Sequence, residues 1–211
     1  MVKRAVAAAF LTALVFLSGL SLGFFWDTLR TQRSEQRIDE LVVYSSALFL
    51  ESRLIEDAGC ESLRPVLDEA MEDLSEALQR YEFYTKQSRV NLDSENLLYR
   101  RYLMANLRYW FFYKEFKERC GLNSTIVLFF FGPDCPDCDV MSDRLTLLKK
   151  KYGGDVMVFP INMELAARDP VANTLKSIYN VTSYPSLIVN GKKYGYLEKK
   201  ELEGLVCGGT C

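Results

Sequence analysis

The sequence predicts an α+β chain in three parts: an N-terminal transmembrane helix, a helical hairpin or stalk, and a C-terminal α/β domain with a short mixed sheet. Three observations carry this. Residues 5–25, "AVAAAFLTALVFLSGLSLGFF", contain no charge. Residues 27–120 show helical apolar spacing. From about residue 122, β-branched and aromatic runs alternate with amphipathic stretches. The parts are bounded as 1–26, 27–121 and 122–211.

Taken in order, the uncharged run of 21 residues is long enough to cross a hydrocarbon core as a helix. Lys3 and Arg4 precede it, and Trp26 sits where an interfacial aromatic would. The competing reading is a cleaved signal peptide with Ser21 and Gly23 near the cut, although the run exceeds the usual ~7–15 residue apolar region. Arg30, Arg33 and Arg37 follow the span, so basic residues flank both sides and do not orient it. The short amino tail and the cysteine count favour the amino terminus inside. The expected location is a single-pass cell-membrane protein with its C-terminal domain extracytoplasmic, or a secreted protein after signal cleavage.

Composition narrows the chemistry. The chain of 211 residues has a net charge of −2, with no basic excess to suggest nucleic acid. It has no histidine, which excludes Ser-His-Asp and Cys-His catalysis and HExxH metal sites. Its six cysteines are 60, 120, 135, 138, 207 and 211. An even number falling into three plausible pairs suggests an oxidising compartment.

The helical part begins with about 28–56, which carries Ile38, Leu41, Val42, Leu48 and Leu54 and reads as an outward continuation of the membrane helix. In "CESLRPVLDEAMEDLSEALQRYEFY", apolar residues recur from Leu63 through Leu67, Ala70, Met71, Leu74 and Ala77 to Tyr84. Pro65 belongs in a first turn, so the helix is expected to start near 61–64. Asp93 and Ser94 supply N-cap chemistry for a second helix over about 94–119, which stops at Gly121. A hairpin turning near residue 90 pairs positions whose numbers sum to about 180, which brings Cys60 to Cys120.

In the last part, "STIVLFFFG" (124–132) lacks polar alternation and reads as a central strand buried on both faces. A helix follows, then a strand over 156–163 and a helix over 169–181 with Pro170 in its first turn. A hairpin over 184–197 turns at Asn190-Gly191, and a short last helix precedes the tail. The order is β-α-β-α-β-β-α.

"FFFGPDCPDC" (129–138) places Cys135 where the first strand ends and a helix opens. A CxxC fits a reactive dithiol, half of a zinc site or a structural disulfide. Unpaired N–H groups and the helix dipole at that position favour a thiolate, and Cys138 lies one turn further on. Pro136 fits the first turn, where its missing N–H has no helical partner to lose. Such a dithiol exchanges with other disulfides through a mixed intermediate.

These features resemble the thioredoxin superfamily, in particular the catalytic domain of protein disulfide isomerases. The element order, "FFFGPDCPDC" and "YNVTSYPSLIVNGKKYG" carry the resemblance, which covers about residues 122–206. It implies that Cys135 attacks, that Cys138 resolves, and that Tyr184-Pro185 is a cis dipeptide that holds substrate backbone beside the sulfurs. It implies no cofactor and no metal. Two departures stand out. Phe129 occupies the position where thioredoxins usually carry a buried acid, and the domain lacks the opening strand and helix, so the helical region is a candidate cover for the exposed sheet edge. Asp134 and Asp137, with Asp139, add negative charge that opposes the thiolate, so Pro136, Asp137 and Asp134 are expected to tune the pair.

The tail "CGGTC" allows a local disulfide between Cys207 and Cys211, a second redox pair, or free or intermolecular thiols. The expected function is membrane-anchored thiol–disulfide exchange with protein partners and a redox partner of unknown identity. Two rivals remain: a membrane-tethered binding or chaperone module with a structural disulfide, and a zinc site of Cys135, Cys138, Cys207 and Cys211.

Overall fold

The structure is a computed structural model that describes residues 11–21, 58–86, 92–167 and 169–207. The chain divides into two compact units, Met1–Ala58 and Gly59–Cys211. Of the first unit, residues 11–21 and Ala58 are described, and 11–21 are helical. Among the described residues, no helix is long and apolar enough to cross a membrane. The transmembrane helix expected over 5–25 is therefore corrected, and the single-pass localisation built on it falls with it. An uncharged run is necessary for a span, but a span also needs an unbroken helix of sufficient length. The helical stretch expected over 28–56 lies outside the described residues.

The second unit opens with α1 (Cys60–Thr85) and α2 (Leu92–Cys120). Helix α1 starts at Cys60 after the extended N-cap Gly59, which leaves Pro65 inside the helix, beyond the first turn expected for it. Asp93 and Ser94 likewise fall within α2, as its second and third residues after it starts at Leu92, and do not precede the helix as caps. The far end of α2 closes as its sequence suggests. Gly121 adopts φ +68°, and the Leu122 N–H donates to the Lys117 carbonyl at 3.1 Å, the long bond of a Schellman turn.

The two helices bury Leu63, Leu67, Ala70 and Ala77 of α1, and Leu103, Leu107, Phe112 and Phe116 of α2. Tyr81 stacks on Tyr102 with centroids 6.0 Å apart. The Arg108 side chain is only 9% exposed and pairs with Asp73 and Glu69 across the hairpin. Such a cation resides at low exposure because two carboxylates face it. Cys60 and Cys120 form a disulfide at the open end, with Cα atoms 5.3 Å apart.

Beyond α2 come β1 (Thr125–Phe131), α3 (Pro136–Tyr152), a 3-10 turn (Gly153–Asp155), β2 (Val156–Asn162), α4 (Pro170–Ile178), β3 (Ser186–Val189), β4 (Lys192–Tyr194) and α5 (Lys199–Cys207). The sheet order is β2-β1-β3-β4. Strand β1 runs parallel to β2 and antiparallel to β3, so it is flanked on both sides and the sheet is mixed. Its first six residues are buried, as a continuous β-branched and aromatic run requires.

One face of the sheet packs against α3 and α5, with Val127, Phe129, Met141, Leu145, Leu187, Leu202 and Val206 in a single cluster. On the other face, Phe159 meets the rings of Tyr109 and Tyr113 from α2, at 5.8 and 6.5 Å. Strand β2 lies at the sheet edge, and α2 covers it. The Tyr99 hydroxyl donates to the Asn162 carbonyl and accepts from the Asn162 N–H, while Asn106 Nδ2 donates to the Pro160 carbonyl at 3.0 Å. An uncovered edge is a template for foreign strands, and these side chains occupy it.

The turn after β3 is fixed by more than its own backbone. Asn190 and Gly191 have φ of 46° and 84°, the sign pattern of a type I′ turn. The Asn190 side-chain oxygen also accepts from the Ile126 N–H at 3.1 Å and from Lys117 Nζ at 3.0 Å.

Candidate functional site

Cys135 is the N-cap of α3, Pro136 opens the helix, and Cys138 follows one turn on. The Cys138 N–H donates to the Cys135 carbonyl at 2.9 Å, which tightens the turn and sets the two side chains side by side. They form a disulfide with Cα atoms 5.2 Å apart. The two sulfurs differ in access. Cys138 is 4% exposed and belongs to the core cluster, whereas Cys135 is half-buried at its margin.

The loop before the helix holds Asp134 at φ 51°, a left-handed conformation that aspartate tolerates better than most residues. Asp134, Pro136, Asp137 and Asp139 are all exposed. They put negative charge around the mouth of a helix whose free N–H groups attract anions, two opposing influences on a thiolate.

The bond between Tyr184 and Pro185 is cis. Pro185 is buried and Tyr184 half-buried, and the Tyr184 ring packs against the same cluster as Cys135. Gly132 makes room for that ring: a Cβ there would lie 2.6 Å from Tyr184 Cδ2. Lys176 Nζ approaches the ring from another element, 5.7 Å from its centroid. Sequence reasoning missed Gly132. The signal available was a glycine directly after a strand and before a cysteine helix, a common mark of close packing.

Beside the disulfide lies an open groove of about 450 Å³. Phe129 and Phe131 line it with rings stacked 5.3 Å apart, and Asp134, Asp139 and Ser142 contribute polar groups. Phe129, at the position of the missing acid, is 3% exposed. The buried polar residues of the described chain are Asn106, Ser124, Thr125, Asp169 and Ser186, and none lines this groove. Tyr184 and Pro185 do not line it either.

Cys207 is also disulfide-bonded, and Cys211 lies outside the described residues. For the zinc reading, Cys135 and Cys138 are bonded to each other, and the described residues contain no group of three or more His, Cys, Asp or Glu placed to hold a metal ion.

A family model described as a thioredoxin-like domain matches residues 112–206. No curated protein matches the chain. Among solved structures, it is similar to thioredoxin-2 of the malaria parasite, described as a component of the parasite's protein secretion machinery (24% identity over 41% of this chain and 84% of that one, TM-score 0.33). It is also similar to thioredoxin O2 from Arabidopsis thaliana in its oxidised state (22% identity, 44% and 80% coverage, TM-score 0.34). A third is a thioredoxin variant from Halobacterium salinarum (20% identity, 46% and 85% coverage, TM-score 0.34). Residues 112–206 of the chain thus form a thioredoxin-like domain.

Proposed function

We propose that this chain exchanges disulfides with protein partners through Cys135 and Cys138. A thioredoxin-like fold with a bonded cysteine pair is that of a thiol–disulfide oxidoreductase in general. The observation that supports the specific reading is the unequal exposure of the two cysteines at the start of α3.

In the reducing direction, the Cys135 thiolate attacks one sulfur of a partner's disulfide. A Cys135–partner bond forms, the partner's bond breaks, and its other sulfur leaves as a thiolate. The Cys138 thiolate then attacks the Cys135 sulfur. The partner departs reduced by two electrons, the Cys135–Cys138 disulfide remains, and the two thiol protons pass to solvent and the partner's sulfurs. Oxidation is the same path reversed. A shielded Cys138 meets the mixed disulfide from inside, while the more accessible Cys135 meets the partner.

Tyr184 and Pro185 are proposed to hold the partner's backbone, and Pro136, Asp137 and Asp134 to set the thiolate's stability. The redox domain is placed at 122–211, with the preceding helices as the cover of its sheet edge. Insulin reduction by dithiothreitol tests this reading. The chain is expected to accelerate it and Cys135→Ser to abolish the acceleration. Equal rates for the two proteins would leave the disulfide a structural feature of a binding module.

A further inference from the structure

We infer that the groove beside the disulfide is a recognition subsite that takes an apolar side chain and an adjacent lysine or arginine from the exchanging partner. This rests on the exchange reading above and names the partner's chemistry.

The groove is large enough for side chains, at about 450 Å³. Its floor is aromatic, because Phe129 and Phe131 stand two residues apart on β1 and their rings stack on the same face of the sheet. Phe131 is only half-buried, so ring surface is available to a partner. The disulfide and Pro136 form part of the wall, which puts any occupant next to the reacting sulfurs.

Charge selects the occupant. Every charged residue lining the groove is negative, namely Asp134 and Asp139, and both are exposed. The next carboxylates on the same stretch, Asp137 and Asp143, are exposed as well. The lysines of α3 (Lys149, Lys150 and Lys151) lie in its last turn, at the opposite end. An anionic rim over an aromatic floor suits a side chain with an apolar stem and a cationic head, which also interacts favourably with ring faces. The Tyr184-Pro185 segment is not part of the lining, so this contact adds to one made there.

The test uses the full chain and two disulfide-linked peptides that differ only in the residue after a phenylalanine beside the cysteine, lysine in one and glutamate in the other. Exposed carboxylates each contribute little, so the lysine peptide is expected to react about 3- to 10-fold faster in kcat/KM at low salt. The preference is expected to shrink towards unity in 1 M salt, where the screening length is about 3 Å. The ratio is the readout, since any change at Asp134 also alters the Cys135 thiolate. Asp134→Asn/Asp139→Asn is expected to remove the preference and Asp143→Asn to retain most of it. Equal rates for the two peptides, or a preference unchanged in the double variant, overturn the subsite while leaving exchange intact. If neither peptide reacts, the exchange reading fails. The subsite is then decided by binding of both peptides to Cys135→Ser/Cys138→Ser: tighter binding of the lysine peptide supports it, and equal binding overturns it.

Discussion

The Tyr99 hydroxyl donates to the Asn162 carbonyl at 3.3 Å and accepts from the Asn162 N–H at 2.7 Å. A single phenol on α2 thus does for the end of β2 what a neighbouring strand would do. Removing it leaves both backbone groups of Asn162 without that partner. Tyr99→Phe is expected to cost about 1–3 kcal/mol, the range for stranding a buried polar group. Urea denaturation of the oxidised chain checks this, and an unchanged midpoint would mean that water replaces the phenol without loss.

The Cys60–Cys120 disulfide closes a separation of 60 residues. In the chain-entropy account, a loop of that length stabilises the folded state by about 4 kcal/mol. Cys60→Ser/Cys120→Ser is therefore expected to lower the urea midpoint strongly while preserving exchange at Cys135. Selective loss of exchange with no loss of stability would show that this bond serves the site and not the helices.

Gly132 and Tyr184 form a testable pair. A methyl at residue 132 would collide at 2.6 Å with the half-buried Tyr184 ring, which packs against the core cluster. Gly132→Ala is expected to destabilise by about 1–3 kcal/mol, and Tyr184→Ala in the same chain to relieve most of that cost. Additive effects in the double-mutant cycle would show that the two residues do not restrain each other.

Alkaline pH probes the tyrosine layer between the helices and the sheet. Burial pushes Tyr102 and Tyr109 up to about 12 from the usual 10, with neighbouring tyrosines and the carboxylates Glu82 and Asp68 adding to the effect. Tyr99 moves in the same direction, chiefly through burial. The unfolded chain ionises these phenols first, so their stabilising contribution is complete below pH 10 and is lost as pH rises towards 12. Each contributes a slope of up to about 1.4 kcal/mol per pH unit across that window. Tyr102→Phe is expected to flatten the decline in folding free energy measured between pH 9 and 12. An equally steep decline in the variant would assign the loss to other groups.

Much of the thioredoxin-like domain was legible in the sequence because its signals are local. An unbroken apolar run marked β1, Asn190-Gly191 marked the turn, and the cysteine spacing marked the mouth of α3. The Cys60–Cys120 pairing followed from hairpin arithmetic, which uses helix rise and antiparallel direction alone. Contacts made by side chains across long separations were not legible. Nothing in the spacing around Tyr99 points to a backbone 63 residues away, and the ring that Gly132 accommodates lies on another element. Helix starts were also misplaced: Pro65 lies inside α1 and Ser94 inside α2. The membrane span expected over 5–25 is corrected because, among the described residues, no helix is long and apolar enough to cross.

The most direct test of the central claim is covalent trapping with Cys138→Ala. Without the resolving thiol, Cys135 is expected to remain joined to its partners in mixed disulfides that survive denaturation, release on reduction, and map by mass spectrometry to Cys135. Absence of such adducts, or their persistence after Cys135→Ser is added, would contradict exchange at Cys135.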